Sequence, residues 1–181
     1  IYTYQGLYSA MNKVRSLESK IRERHKNDDD VIRAIRFAKR IHRNDLREDG
    51  QPYIIHPLTV ASMCVDRNMK KETVIAALLH DVIEDHNVKH STIEQEFNKN
   101  VSKLVILLTK PKLISSEWIF PPDDRYYSNQ DEYTSQFYFE RALVYYDKLI
   151  NSGNIDAMII KLFDNFHNIE TIKAVGEVRA K

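Results

Sequence analysis

Residues 76–85 read Ala-Ala-Leu-Leu-His-Asp-Val-Ile-Glu-Asp. An apolar helix over Met69–Asp85 delivers His80 and Asp81 side by side and, one turn later, Glu84 and Asp85. His80 and Glu84 are i, i+4 neighbours, as are Asp81 and Asp85, so four polar groups crowd one end of one helix. Three carboxylates near a helix C-terminus are repelled by the macrodipole and by one another. A sequence serving stability alone would place Lys or Arg there. A bound cation reverses the penalty, and imidazole with carboxylate is a sound ligand set for a divalent transition metal.

Taken alone, His80-Asp81 is a weak signal and reads more readily as a solvated helix end than as a metal site. Two further apolar segments change the weighing. His56 opens Tyr-Ile-Ile-His-Pro-Leu, and Asp164 interrupts Met158-Ile159-Ile160-Lys161-Leu162-Phe163-Asp164. A carboxylate inside such a run is seldom buried without a partner. Three apolar segments therefore each carry a metal-type ligand, in the order His…His-Asp…Asp.

Only 4 Gly and 5 Pro occur in 181 residues, which points to long helices with few turns and an all-α fold. The apolar periodicity predicts a first helix over 8–26, with Leu7, Met11, Val14, Leu17 and Ile21 as its stripe. A second follows the cap Asn27-Asp28-Asp29-Asp30, with Val31, Ile35, Ala38 and Ile41 inward. Residues 43–55 read as a loop around Asp49-Gly50-Gln51-Pro52, and Pro57 suits the first turn of a helix over about 57–67. Ser91-Thr92 caps a short helix ending near Phe97, and Val101–Thr109 forms another. Residues 110–130 form a long irregular loop rich in aromatics, followed by helices over 131–150 and about 155–175. In the last helix Ile155, Met158, Ile159, Leu162, Phe166 and Ile169 make a core stripe. Asp164, Asn168 and Thr171 recur at i, i+4, i+7 on another face.

The length suits a single domain over 1–181. A formal net charge of +1 gives no global case for DNA, RNA or an anionic membrane. The single cysteine, Cys64, reads as a small core residue. No apolar run approaches the ~20 residues of a membrane span and no signal peptide is visible, so a cytoplasmic protein is expected. The chain can also be a fragment with further domains beyond it.

Four motifs in order carry a resemblance. They are Arg47-Glu-Asp-Gly50-Gln-Pro52-Tyr53-Ile-Ile-His56-Pro57-Leu58, then Ala76-Ala-Leu-Leu-His80-Asp81-Val-Ile-Glu84-Asp85, then Thr109-Lys110, and finally Lys161-Leu162-Phe-Asp164-Asn-Phe-His167-Asn168-Ile-Glu-Thr171. Over about residues 30–175 the chain resembles the HD superfamily of metal-dependent phosphohydrolases. It is most similar to the hydrolase domain of RelA/SpoT-type proteins and the small alarmone hydrolases. The resemblance implies an HD-domain helical bundle with His56, His80, Asp81 and Asp164 as ligands of one metal, usually Mn²⁺. It implies Glu84 and Asp85 as the groups that orient or deprotonate the attacking water. It also implies that Arg47 lies over the nucleotide, with Asn168 and Thr171 near the ribose. Arg141 and Lys110 are possible phosphate partners. On the residues alone, Arg47 is a solvated cation and Asn168 and Thr171 are ordinary helix polarity.

The implied reaction removes the 3′-pyrophosphate of guanosine tetra- or pentaphosphate (ppGpp, pppGpp), with a small-molecule nucleotide as partner. Glu48, Phe163, Asn165 and Glu170 depart from the family pattern, and Glu48 removes a cation from the nucleotide face. Two alternatives stay open: the same chemistry on another nucleotide, and a nucleotide-binding module without turnover.

Overall fold

The computed structural model describes residues 4–128 and 137–179, with side chains over 5–128 and 137–172. In chain order the elements are α1 (Tyr4–Arg24), α2 (Asp29–Ile41), α3 (Ile55–Asp66), α4 (Lys71–Leu79), α5 (Val82–His86), α6 (His90–Glu96) and α7 (Lys99–Leu108). A hairpin of β1 (Lys112–Ile114) and β2 (Glu117–Ile119) follows, then α8 (Asp124–Ser128), α9 (Tyr138–Asn151) and α10 (Ile155–Arg179). The chain divides into two compact units, Ile1–Leu79 with Ile160–Lys181, and His80–Ile159. Among the described residues no helix is long and apolar enough to cross a membrane.

In the first unit, α2 begins where Asp28 accepts hydrogen bonds from the backbone N–H groups of Asp30 (2.9 Å) and Val31 (3.4 Å). Asp29 and Asp30 occupy its first turn and Lys39 and Arg40 its last, the order the macrodipole favours. Lys71 Nζ reaches Asp28 (3.2 Å) and Asp30 (3.0 Å), tying the start of α4 to the start of α2. Val31, Ala34, Ile35, Phe37 and Ala38 form the buried face of α2. In α4 every residue from Thr73 to Leu79 is buried, and α3 buries Leu58, Val60, Ala61, Cys64 and Val65. Helices apolar all round belong in a core. A side chain such as Leu78 contributes about 1.5–3 kcal/mol by burial, so Leu78→Ala should cost about 2–5 kcal/mol. In α1, Ile21 is buried but Leu7 and Met11 are exposed, so the expected stripe holds only in the C-terminal half.

The expected helix Met69–Asp85 is interrupted. It stops at Leu79, His80 and Asp81 form a turn, and α5 starts at Val82. Asp81 precedes α5, and Glu84 and Asp85 lie in its first turn. Glu84 and Asp85 therefore belong to a separate five-residue helix that ends at His86, not to the end of one long apolar helix. Asn87, at φ 51°, closes α5 by donating its N–H to the carbonyls of Ile83 and Val82.

In the second unit, α6 packs on α7 and α7 on α9. Ser91 and Thr92 lie inside the first turn of α6, which starts at His90 without a side-chain cap. Asn98 caps α7 by accepting from the N–H of Val101 (2.9 Å). His90 is half-buried, with Nδ1 3.1 Å from the Tyr127 hydroxyl. Residues 110–128 are more ordered than the irregular loop expected. β1 and β2 pair antiparallel, Lys112 opposite Ile119 and Ile114 opposite Glu117. The connection is Ser115-Ser116 at φ 50° and 63°. A two-residue hairpin turn needs left-handed backbone, for which Asn-Gly is the usual signal, and serines hide it. Lys112 is buried, donating to the Tyr126 carbonyl and to Asn87 Oδ1, each at 2.9 Å. Of the helix expected over 131–150, α9 covers Tyr138–Asn151, and residues 129–136 lie outside the described residues.

The expected core stripe of the last helix is also overturned. Ile155, Leu162, Phe166 and Ile169 are each more than half exposed, whereas Ala157, Ile160, Lys161, Asp164 and His167 are buried. α10 turns its polar face inward, because that face carries its own partners.

Candidate active site

In the first unit the loop 42–54 and the first turn of α3 face α10. The ring of His42 stacks on Tyr53 at 4.8 Å, and His42 Nδ1 lies 2.8 Å from Asp45 Oδ2. Arg47 N–H donates to the Gln51 carbonyl (2.9 Å), and Gly50 N–H to the Arg47 carbonyl (2.8 Å). Gly50 sits at φ 82°, where a side chain would be strained. This tight loop presents Arg47.

His56 is almost fully buried, and its Nε2 lies 3.1 Å from Asp164 Oδ1. Asp164 accepts from Lys161 Nζ at 2.6 Å through Oδ2 and from Asn168 Nδ2 at 2.7 Å through Oδ1. Its burial is thus matched by a cation and an amide, as a buried carboxylate requires. On the other side of His56, Nδ1 lies 2.7 Å from His167 Nδ1, with the rings 21° apart. Burial pushes His167 down to about 4, assisted by the charges of His56, Arg47 and Lys13 and opposed by Asp164, so it is neutral near pH 7.

Arg47 Nη2 donates to Asn168 Oδ1 at 2.9 Å, and its guanidinium lies 5.7 Å from the Tyr53 ring centre. Arg47, Glu48, Tyr53, Asn168 and Thr171 line one cavity of about 310 Å³, within the usual range for small-molecule sites. Thr171 spends its hydroxyl proton on the His167 carbonyl at 2.8 Å, so toward a ligand it can only accept. A continuous chain runs Arg47–Asn168–Asp164–His56–His167.

In the second unit His80 is buried, with Nε2 2.9 Å from Asp81 Oδ2. Glu84 is held by Lys110, whose Nζ lies 3.1 Å from Oε1 and whose N–H donates to Oε2 at 3.3 Å. Arg141 Nη1 approaches Glu84 Oε1 at 3.6 Å, while its Nε donates to the Pro111 carbonyl at 2.7 Å. Burial opposes the charge on Lys110, but Glu84 and Asp81 outweigh it and raise its pKa. Asp85 is exposed. Arg141 and Lys110, expected beside substrate phosphates, thus lie beside Glu84.

Tyr53, Lys161 and His167 stand in the motifs, but the sequence alone points to no role for them at the site. The signal available was spacing: Lys161 and His167 flank Asp164 at i−3 and i+3, on one helix face, and Tyr53 precedes His56 by three.

The family model of the HD domain matches residues 34–181. The chain belongs to the HD-domain family. The guanosine-3′,5′-bis(diphosphate) 3′-pyrophosphohydrolase of Aquifex aeolicus is 36% identical over 155 residues, covering 84% of this chain and 19% of that protein. The enzyme of the same name from Borreliella burgdorferi is 30% identical over 174 residues, covering 93% of this chain and 23% of that protein. The chain spans about a fifth of the length of these curated relatives. A solved structure of a metazoan SpoT ortholog that hydrolyzes ppGpp superposes with a TM-score of 0.62 at 22% identity, over 81% of this chain and 72% of that one. That likeness shows the fold.

The HD domain implies a divalent metal, and the donor set fits one. Two ligand atoms each ~2.1 Å from an ion and at right angles stand ~3.0 Å apart. His56 and Asp164 are at 3.1 Å, and His80 and Asp81 at 2.9 Å.

Proposed function

We propose that the protein hydrolyses the 3′-pyrophosphate of ppGpp and pppGpp, releasing GDP or GTP and pyrophosphate. The observation that carries this reading is the pair of buried histidines, each facing a carboxylate at the spacing of adjacent metal ligands. The names of the relatives point to the substrate. His56, His80, Asp81 and Asp164 would hold one ion, with Mn²⁺ as the metal. When bound, such an ion polarises a phosphoryl oxygen and makes water acidic enough to attack near neutral pH. Glu84, oriented by Lys110 and Arg141, and Asp85 form the pair that orients the attacking water and takes its one proton. Arg47 clamps the nucleotide by stacking and by its fork of donors, and Asn168 and Thr171 contact the ribose. The family match runs through both units, which supports one HD domain over 1–181. A nucleotide substrate of this kind is consistent with action in the cytoplasm, and a net charge of +1 offers no global support for DNA, RNA or membrane as a partner.

Glu48 lines the cavity beside Arg47 and favours a second reading, hydrolysis of a less highly charged nucleotide. The deciding experiment incubates the protein and Mn²⁺ with ppGpp, pppGpp, deoxynucleoside triphosphates and cyclic nucleotides. Release of pyrophosphate with GDP or GTP is expected. Turnover of the other nucleotides alone supports the second reading. No turnover of any would point to a module that binds nucleotide without catalysis.

A further inference from the structure

We infer that His167 is a positioning residue for the metal centre, holding His56 in the tautomer and ring orientation that ligation needs. The inference rests on the proposed role of His56 as a ligand. His56 Nε2 faces Asp164 Oδ1 at 3.1 Å, and its Nδ1 lies 2.7 Å from His167 Nδ1. A hydrogen bond between two imidazole nitrogens needs one N–H and one lone pair. A neutral His56 that offers Nε2 to a metal carries its proton on Nδ1, so it must donate and His167 must accept. His167 is buried one turn from Asp164 on the same face of α10, so one helix supplies both the carboxylate ligand and the support for the imidazole ligand. A metal-ligating histidine commonly has its other nitrogen fixed by a carboxylate, carbonyl or water, and loss of such a partner typically weakens metal binding 10–100-fold. Here a second imidazole fills that place. It adds no negative charge to a centre that already has two carboxylates.

The test compares Mn²⁺ affinity, read from the electron paramagnetic resonance signal of free Mn²⁺, in the parent protein, H167L and H167N. Asparagine places an acceptor oxygen where histidine has Nδ1, whereas leucine fills the volume without one. H167L should bind Mn²⁺ about 10–100-fold more weakly, H167N should stay close to the parent, and the metal-free melting temperatures of the two variants should be similar. If H167L does not fold, the same contrast is read between H167N and H167Q, whose acceptor reaches only the Nε2 position. Parent-like affinity in H167L, or equal weakening in the leucine and asparagine variants, overturns the role of His167 while leaving the metal centre standing. A parent protein that binds neither Mn²⁺, Co²⁺ nor Zn²⁺ overturns the metal centre itself.

Discussion

Arg47→Ala separates a nucleotide clamp from a structural cation. In the free protein the Arg47 side chain makes one hydrogen bond among the described residues, 2.9 Å to Asn168, and its guanidinium lies 5.7 Å from the centre of the Tyr53 ring. The hydrogen bond has one charged partner but is only half-buried, so it contributes about 1 kcal/mol, and the ring contact adds about 0.5–1 kcal/mol. Asn168 keeps its bond to Asp164, so no buried group loses every partner. The expected destabilisation is about 1–2 kcal/mol, or roughly 2–8 °C in melting temperature for a chain of this size. In the complex the same side chain would stack on a base or fork onto a phosphate, in a cavity where no other described residue of the lining is cationic. Losing that contact should remove about 2–3 kcal/mol, which is about a 30–150-fold rise in KM. Initial rates with ppGpp at saturating Mn²⁺, beside thermal unfolding of the same samples, give both numbers. Arg47→Lys should fall between, because a point charge replaces a planar fork. An unchanged KM in Arg47→Ala would refute the clamp, and a collapse of the melting temperature would show that Arg47 is structural.

The combined change Glu84→Gln and Asp85→Asn should keep Mn²⁺ bound and lower turnover by at least ~10²; loss of the metal, or unaltered turnover, would mean that these roles are misassigned. Glu48→Lys should lower KM for a polyphosphate substrate, since it removes repulsion and adds attraction in the cavity it lines; weaker binding counts against a highly charged substrate. Lys148, half-buried with its ammonium over the Phe120 ring, is pushed by burial from 10.5 down to about 8. Below pH 8 the folded state bears the full penalty of the buried charge. Between about 8 and 10.5 the unfolded chain binds more protons, so stability should rise with pH. Discounted for partial exposure, the penalty is on the order of 1–2 kcal/mol, so Lys148→Met should raise the melting temperature at pH 7 and flatten its rise across that window. A lower melting temperature at pH 7, measured by calorimetry across pH, would show that the ring contact with Phe120 outweighs the burial.

The local chemistry was legible in the chain itself. Asp28 capping α2, the buried runs of α3 and α4, Cys64 in the core and the loop around Gly50 follow from residue type and spacing. His56 and Asp164 stood out because each interrupts an apolar run. Other features were hidden because local rules permit two answers. The run Val74–Leu79 can continue as helix through His80 or stop, and the structure stops it at the turn before α5. Ser115-Ser116 lacks the glycine that announces a hairpin. α10 has apolar residues on two faces, so periodicity alone cannot say which one turns inward.

The sequence by itself determined the helical class, the ligand types and their order along the chain, because these depend on hydrophobic spacing and on the donor chemistry of individual side chains. Only the tertiary structure decided which distant groups meet. His56 bonds to His167 across 111 positions, and Arg47 to Asn168 across 121. The inward face of α10 was decided the same way. Lys161 and Asn168 satisfy the Asp164 carboxylate, and His167 meets His56, so burying the polar face leaves few orphaned groups. Leu162, Phe166 and Ile169 stay exposed, since an apolar side chain at the surface costs far less than an unpaired charge in the interior.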